Sequence, residues 1–292
     1  MSRLPVTVIG GYLGAGKTTL VNHLLRNAAG RRLAVLVNEF GALPIDADLI
    51  EAQEGDLIAI AGGCVCCSFG SDLTAALMQI AALDPAPDHV LIESSGVAIP
   101  GSIMATAALL DSVRCDGIVV VADGGGVRAA AEDAYIGDTI TRQLAQADIV
   151  ILNKADLAAA GLADWLQTLA PQAAVVTCQN AQVPLDAVIG MGPHPAPAHD
   201  HAHDHADDLF ESVVLTLPAG TDAAALAQSL AEGPYGVVRA KGWLRGTDGM
   251  ALIHVVGRQW SAESAADTAR EGVVCIGPRG QLDIDGLRRL AG

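Results

Sequence analysis

The sequence predicts an α/β protein: a mostly parallel sheet with helices on both faces, plus a small C-terminal α+β domain. Two observations carry this. Up to about residue 180, short apolar runs alternate with stretches of helical periodicity. The runs are continuously apolar rather than alternating, as strands covered on both faces should be. After a break rich in Pro, His and Asp, strand-like runs resume with only two helix candidates among them.

In chain order, the expected strands of the first part are Leu4–Ile9, Leu33–Val37, Leu57–Ile60, Val90–Ile92, Gly117–Ala122, Ile149–Leu152 and Ala174–Val176. Helices are expected over 18–28, 71–83, 101–110, 132–146 and 161–169. Such βα alternation builds an open parallel sheet. Residues 190–208 carry no apolar periodicity and read as a flexible linker. Beyond it, strands are expected at Glu211–Leu217, Val237–Trp243, Leu252–Val256 and Val273–Ile276, with helices at 222–232 and near 284–290. The expected organisation is a domain over 1–189, a linker over 190–208 and a second domain over 209–292.

Composition narrows the function. Hydrophobic residues make up 51% of the 292 and aromatics 3%, so the core is aliphatic. The net charge of −16 argues against a nucleic-acid partner held through phosphates. No apolar run approaches the ~18 residues of a membrane span, and Met1–Pro5 holds no signal-peptide stretch, so no membrane partner and a cytoplasmic location are expected. The six cysteines lack a disulfide rhythm, and three of them fall within four positions, which suits metal or redox chemistry in a reducing compartment.

The chemistry begins at Gly10-Gly-Tyr-Leu-Gly-Ala-Gly-Lys-Thr-Thr19. Gly11 to Thr18 fit G-x-x-x-x-G-K-[ST] between a strand and a helix, the P-loop of nucleotide-hydrolysing proteins. Gly11, Gly14 and Gly16 let the backbone N–H groups wrap a phosphate, Lys17 reaches the β/γ-phosphates, and Thr18 offers a hydroxyl to Mg²⁺. A chance glycine turn would not carry the lysine and the flanking elements together. The chain holds only three lysines among its 17 basic residues, Lys17, Lys154 and Lys241. Against an arginine bias, these mark places where a compact point charge is hard to replace.

Asn153-Lys154-Ala155-Asp156 follows a strand and matches the guanine-reading N-K-x-D. A carboxylate there accepts from N1–H and the 2-amino group of guanine, a donor pair that adenine lacks; the other reading is a turn capped by Asp156. Glu93-Ser-Ser-Gly96 ends another strand. Glu93 is the expected carboxylate for nucleotide-bound Mg²⁺, and Gly96 a switch able to turn its N–H to the γ-phosphate; the other reading is a Ser-capped turn. Asn38-Glu39-Phe-Gly, with Asp46 beyond, is a candidate first switch whose carboxylates face Mg²⁺ or a second metal, or else a solvated acidic loop.

Gly62-Gly-Cys64-Val-Cys66-Cys67-Ser68 places three thiols where they can converge on one ion. Thiolates suit Zn²⁺, Co²⁺ as an analogue, or Cu⁺. Three ligands leave an open position for handing the ion on, the fourth coming from water, Glu39 or a partner; buried small residues and a redox dithiol are the other readings. Cys115, Cys178 and Cys275 stand alone and read as core packing. His194, His199, His201, His203 and His205 form an acidic tract that reads as multi-ion binding of moderate affinity, or as a solvated linker. His23, His89 and His254 read as structural.

These motifs, in this order, resemble the CobW-type P-loop GTPases, relatives of UreG and HypB. The resemblance rests on GGYLGAGKTT, NEFG, GGCVCCS, ESSG and NKAD, with the His-rich linker and a small C-terminal domain after them. Gly62 stands where the family usually has Asn, and the C-terminal domain is short. The resemblance implies a mostly parallel P-loop NTPase sheet. It also implies GTP hydrolysis coupled to delivery of Zn²⁺ or Co²⁺ to a client protein, by a monomer or a dimer. By it, Gly11, Gly14, Ala15, Gly16, Lys17, Thr18 and Thr19 hold phosphates, Asn153, Lys154 and Asp156 hold guanine, Thr18 and Glu93 hold Mg²⁺, and Cys64, Cys66 and Cys67 hold the transferred metal. Lys17, Glu93 and Glu39 are the candidate catalytic residues. Two rival classes remain, a non-catalytic metal buffer on the same fold and a P-loop phosphotransferase that would prefer ATP.

Overall fold

The computed structural model describes residues 3–28, 30–38, 57–62, 71–189, 210–265 and 271–291. The chain divides into two compact units, residues 1–171 with 175–189 and residues 172–174 with 190–292.

The first part of the chain runs β1 (Leu4–Gly10), α1 (Lys17–Arg26), β2 (Leu33–Asn38), β3 (Leu57–Gly62), α2 (Ser71–Ala81), β4 (His89–Glu93), α3 (Pro100–Ala107), β5 (Val113–Asp123), α4 (Val127–Ala131), α5 (Gly137–Ala145), β6 (Ile149–Asn153), α6 (Leu162–Leu169), β7 (Ala174–Thr177) and α7 (Leu185–Val188). The strands form one sheet in the order β3-β2-β4-β1-β5-β6-β7. The pairs β2/β3, β2/β4, β1/β4, β1/β5 and β5/β6 are all parallel. Parallel strands end on the same edge, so β1, β2, β3, β4, β5 and β6 deliver their C-terminal residues to one rim.

Both faces of this sheet are covered, which is why its strands are apolar throughout. On one face Leu4, Val6 and Val8 of β1 pack with Leu73, Leu77 and Ile80 of α2 and with Ile103 and Met104 of α3. On the other, the alternate residues Thr7, Ile9 and Leu91 are as fully buried, and α1 lies against β4 with Leu20, Val21 and Leu24 inward. His89 also points to that side and meets the Thr7 hydroxyl at 2.8 Å. His23 bonds the Val183 carbonyl at 2.9 Å. These histidines, like His254 beside Arg239 at 3.1 Å, are structural as expected.

The structure departs from the sequence reading in three places here. The helix expected over 132–146 begins only at Gly137, as α5, and the short α4 ahead of it was not anticipated. Asp133 delays the start, because its carboxylate takes the N–H groups of Tyr135 and Ile136 at 2.8 and 3.2 Å. An Asp that bonds nearby backbone competes with the helix ladder. The four-residue α7 was not anticipated. Cys115, expected in the core, is exposed. β5 carries an extra residue there, since Val6 pairs with Cys115 and Thr7 with Gly117. The bulge takes Asp116 inward, toward Arg114 at 3.3 Å, and leaves Cys115 facing out.

The second unit contains β8 (Phe210–Leu215), α8 (Ala223–Glu232), β9 (Arg239–Gly246), β10 (Gly249–Val256), β11 (Gln259–Ser264), β12 (Gly272–Pro278) and α9 (Ile284–Leu290). Its five strands run β11-β10-β9-β12-β8, and all four pairs are antiparallel. Two-residue turns at Thr247-Asp248 and Gly257-Arg258 close the β9–β10 and β10–β11 hairpins. The core joins Leu226 and Leu230 of α8 and Leu287 of α9 to Val213, Leu244, Ile253, Val255 and Val273. β11 escaped the sequence reading because Gln-Trp-Ser-Ala-Glu-Ser is a polar edge strand, carried by its hairpin rather than by burial.

Asp222 caps α8 by accepting from the N–H groups of Ala224 and Ala225, both at 3.0 Å. Asp222→Ala should cost about 1 kcal/mol, whereas Leu230→Ala should cost about 3 kcal/mol by opening a cavity. Urea unfolding followed by circular dichroism will rank the two, and equal costs would contradict this division between cap and core.

Candidate functional site

The rim of the parallel sheet gathers the polar residues. Between β1 and α1, Gly11, Gly14 and Gly16 take φ of 131°, 74° and 106°, in the left-handed region that side chains avoid. Gly11 and Gly16 are also held by space: a Cβ on the first would overlap the Val121 carbonyl and on the second the Asn153 amide. The loop feeds into the start of α1, where N–H groups and the helix dipole favour an anion. Lys17 is buried, and its ammonium donates to the Tyr12 carbonyl at 3.3 Å.

Glu93 ends β4 in parallel register with Ile9, beside the loop. It is 2% exposed, and its Oε1 accepts from the Thr18 hydroxyl at 2.7 Å. A hydroxyl and a carboxylate side by side are hard oxygen ligands of the kind that Mg²⁺ takes. Three residues on, Gly96 lies under Leu13 of the phosphate loop.

At the end of β6, Asn153 is almost fully buried and makes three contacts. Its Nδ2 donates to the Ala15 carbonyl at 3.0 Å, and its Oδ1 accepts from Ala181 N at 2.8 Å and from Cys178 Sγ at 3.8 Å. Lys154 follows in the left-handed region at φ 55°. Its Nζ donates to the Gly14 carbonyl at 3.0 Å and to Asp123 Oδ2 at 2.7 Å. Asp156 lies in a single 3-10 turn, Ala155–Leu157, whose N-cap is Lys154. It is exposed, and its carboxylate makes no hydrogen bond among the described residues. Asp156 therefore does not cap the turn.

The sequence reading missed the loop after β7. Asn180 and Ala181 have φ of 51° and 55°, and with Lys154 they are the only non-glycine residues in that region among those described. Strained backbone of this kind concentrates at functional sites. The one signal in the sequence was the position of Cys178–Ala181 at a strand end on the same rim.

Glu39, Asp46, Cys64, Cys66 and Cys67, and His194, His199, His201, His203 and His205, lie outside the described residues. The strands that lead to the first two groups are described. Asn38 pairs with Gly62, and Val37 pairs with both Ala61 and Glu93. β2, β3 and β4 thus end level with one another. Among the described residues no group of three or more His, Cys, Asp or Glu could hold a metal ion. No helix among them is long and apolar enough to cross a membrane.

Residues 5–179 match the family model described as CobW/HypB/UreG, nucleotide-binding domain, and residues 210–290 match the cobalamin synthesis protein cobW C-terminal domain. A curated relative from Sinorhizobium, zinc chaperone CobW, is 30% identical over 303 residues that span 87% of this chain and 86% of that protein. Another of that name, from Pseudomonas aeruginosa, is 31% identical and spans 92% of this chain and 86% of its own length. Among solved structures, Zn(II)-bound YjiA GTPase from E. coli aligns over 99% of this chain and 98% of its own, with 23% identity and a TM-score of 0.45.

Burial pushes the thiols of Cys178 and Cys275 up to about 12. Both therefore stay protonated and unreactive at neutral pH, and only well above pH 8 would thiolate appear. Iodoacetamide at pH 8 should label exposed Cys115 in the folded protein and leave Cys178 and Cys275 bare until it is denatured. Repeating the labelling with and without zinc would test whether Cys64, Cys66 and Cys67 hold the metal. Native labelling of Cys178 would overturn the packing around Asn153.

Proposed function

The chain belongs to the CobW/HypB/UreG family, and from that premise we propose that it is a GTP-hydrolysing zinc chaperone. One observation carries the choice of nucleotide. Asn153 and Lys154 bond to Ala15 and Gly14 of the phosphate loop, and Asp156 beside them keeps an exposed carboxylate. A nucleotide whose phosphates lie on Gly11–Thr19 presents its base to that carboxylate. Guanine satisfies it with two donors, whereas adenine leaves it unpaired. Lys17 serves the β- and γ-phosphates. Thr18 and Glu93 would hold Mg²⁺, which supplies neutralisation of the charge that develops between those phosphates. In turnover, water attacks the γ-phosphorus and the bond to the β-γ bridging oxygen breaks, leaving GDP and phosphate. Glu39 and Gly96 are the candidates to sense the third phosphate.

Zinc is the cargo. Cys64, Cys66 and Cys67 are proposed to carry it as thiolates, with Co²⁺ as the alternative ion and Glu39 as a candidate fourth ligand. The level ends of β2, β3 and β4 support a link between the two chemistries, because Glu39 follows β2, the cysteines follow β3, and β2 lies between β3 and the strand that ends in Glu93. His199, His201, His203 and His205 would gather ions more loosely. The metal passes to a client metalloprotein in the cytoplasm, where thiols stay reduced. The net charge of −16 disfavours a nucleic-acid client.

Asp156→Asn should shift preference from GTP to XTP, whose 2-oxo group needs a donor. Calorimetric titration of GTP, ATP and XTP against both proteins will check this, and wild-type protein that holds ATP as tightly as GTP would end the GTPase reading.

Zinc affinity should be higher with a non-hydrolysable GTP analogue than with GDP, by roughly 5–150-fold, and zinc should tighten the analogue by the same factor. Competition with a chromophoric chelator measures both. Cys66→Ser should abolish the tight site, and deletion of residues 194–205 should remove only weak ions. Equal affinities in the two nucleotide states would separate the metal site from the GTPase cycle.

A further inference from the structure

Two glutamines three residues apart, Gln143 of α5 and Gln146 at its C-terminal cap, grip the chain that follows Glu93. Gln143 is 1% exposed, and its amide donates to the carbonyls of Gly96 at 3.0 Å and Ala98 at 2.8 Å. Gln146 Oε1 accepts from Gly101 N at 2.9 Å, at the start of α3. Both amide protons of Gln143 are thereby committed to one irregular turn. Leu13 of the phosphate loop bears on the same turn, since a Cβ on Gly96 would lie 2.5 Å from its Cδ2. Leu13 is nevertheless 63% exposed. With Gln143 it lines an apolar cavity of about 120 Å³ bounded by Val121, Val127, Ile140 and Leu144. The Gly96 turn is pinned by two hydrogen bonds and pressed by a side chain that has room to retreat.

Resting on the GTPase reading above, we infer that Gln143 is a positioning residue that holds the Gly96 turn at rest and makes GTP compete for it. On this inference, the turn rearranges when the Gly96 N–H swings to a γ-phosphate, and the rearrangement carries its carbonyl away from Gln143. The two bonds are given up, and Leu13 moves into the cavity as the turn advances. GDP asks for no such rotation and leaves the clamp closed. Gln143 touches neither nucleotide nor metal. It acts through Gly96 alone, lowering GTP affinity by what the clamp is worth and returning the turn to rest once phosphate leaves.

Gln143→Met keeps the length and volume of the side chain and removes both donors. Its affinity for GDP should stay within about twofold, since GDP binding breaks neither bond, while its affinity for a non-hydrolysable GTP analogue should rise about fivefold to thirtyfold, the worth of two buried neutral hydrogen bonds. The KM for GTP should fall accordingly. Gln146→Met, which frees only Gly101 N, should leave the ratio of the two affinities unchanged. Equal losses for both nucleotides, or an unchanged ratio in Gln143→Met, would reduce Gln143 to a packing role and overturn the inference. If that variant does not fold, wild-type protein answers the question. The side-chain amide protons of Gln143 should exchange slowly with GDP bound and fast with the GTP analogue, and slow exchange in both states would overturn it. Wild-type protein that binds neither guanine nucleotide would instead overturn the GTPase reading, so the two failures are distinguishable.

Discussion

The carboxamide of Asn153 is the constraint on which the site depends. One side chain ties together three segments far apart in sequence: the phosphate loop through Ala15, the strand β6 that carries it, and the loop after β7 through Ala181 and Cys178. A buried amide must satisfy both ends, so it fixes orientation as well as distance. Asp could accept from Ala181 but not donate to Ala15, and Gln would displace the P-loop by a methylene. The contact also explains Gly16, where any Cβ would overlap the Asn153 amide. The phosphate loop and the Asn153–Asp156 turn proposed to read the base are therefore joined before any nucleotide arrives.

Parallel pairing supplies the rest. Because β1, β2, β3, β4, β5 and β6 run the same way, Gly10, Asn38, Gly62, Glu93, Asp123 and Asn153 all arrive at one rim, although nearly half of the chain separates the first from the last. Burial on both faces keeps these strands rigid, and the loops beyond their ends are the places where polar chemistry can sit without disturbing the core. Glu93 shows how close the two regimes lie. It is as buried as the apolar strand behind it, yet it bonds the hydroxyl at the start of α1.

Most of this rim was legible in the sequence, because each of its motifs follows an apolar run and opens a helix or a turn. The glycines, Lys17, Thr18, Glu93 and the Asn153–Asp156 turn are all found where their spacing put them. What escaped is informative. Gln143 sits in mid-helix, where a glutamine reads as an ordinary helix former, and only tertiary contact gives it its partners. Ala181 has no chemistry of its own and matters through its backbone N–H. The late start of α5 rests on one aspartate, Asp133, whose competing bond to the backbone no periodicity reveals. Cys115 was misplaced because a β-bulge resets the inward and outward alternation, and sequence cannot show where a strand carries an extra residue.

The scarcity of lysine has a physical reading in these contacts. The chain uses arginine for nearly all of its 17 basic positions. At Lys154 the ammonium lies between the Gly14 carbonyl and the Asp123 carboxylate, having left a backbone already in the left-handed region. A compact donor with three protons meets both acceptors from one point. A planar guanidinium delivers its protons in a fixed fork, and the loop would have to open to admit it. The same holds at Lys17, whose buried ammonium donates to the Tyr12 carbonyl of the loop that it serves. An arginine there would have to carry a broader head group in a space that the three glycines keep narrow. The third lysine, Lys241, pairs across β9 and β10 with His254, in the second unit. The P-loop site gives no reason for it. Two of the three lysines thus persist where shape as well as charge is selected, and both bear on one backbone turn, Tyr12 to Gly14.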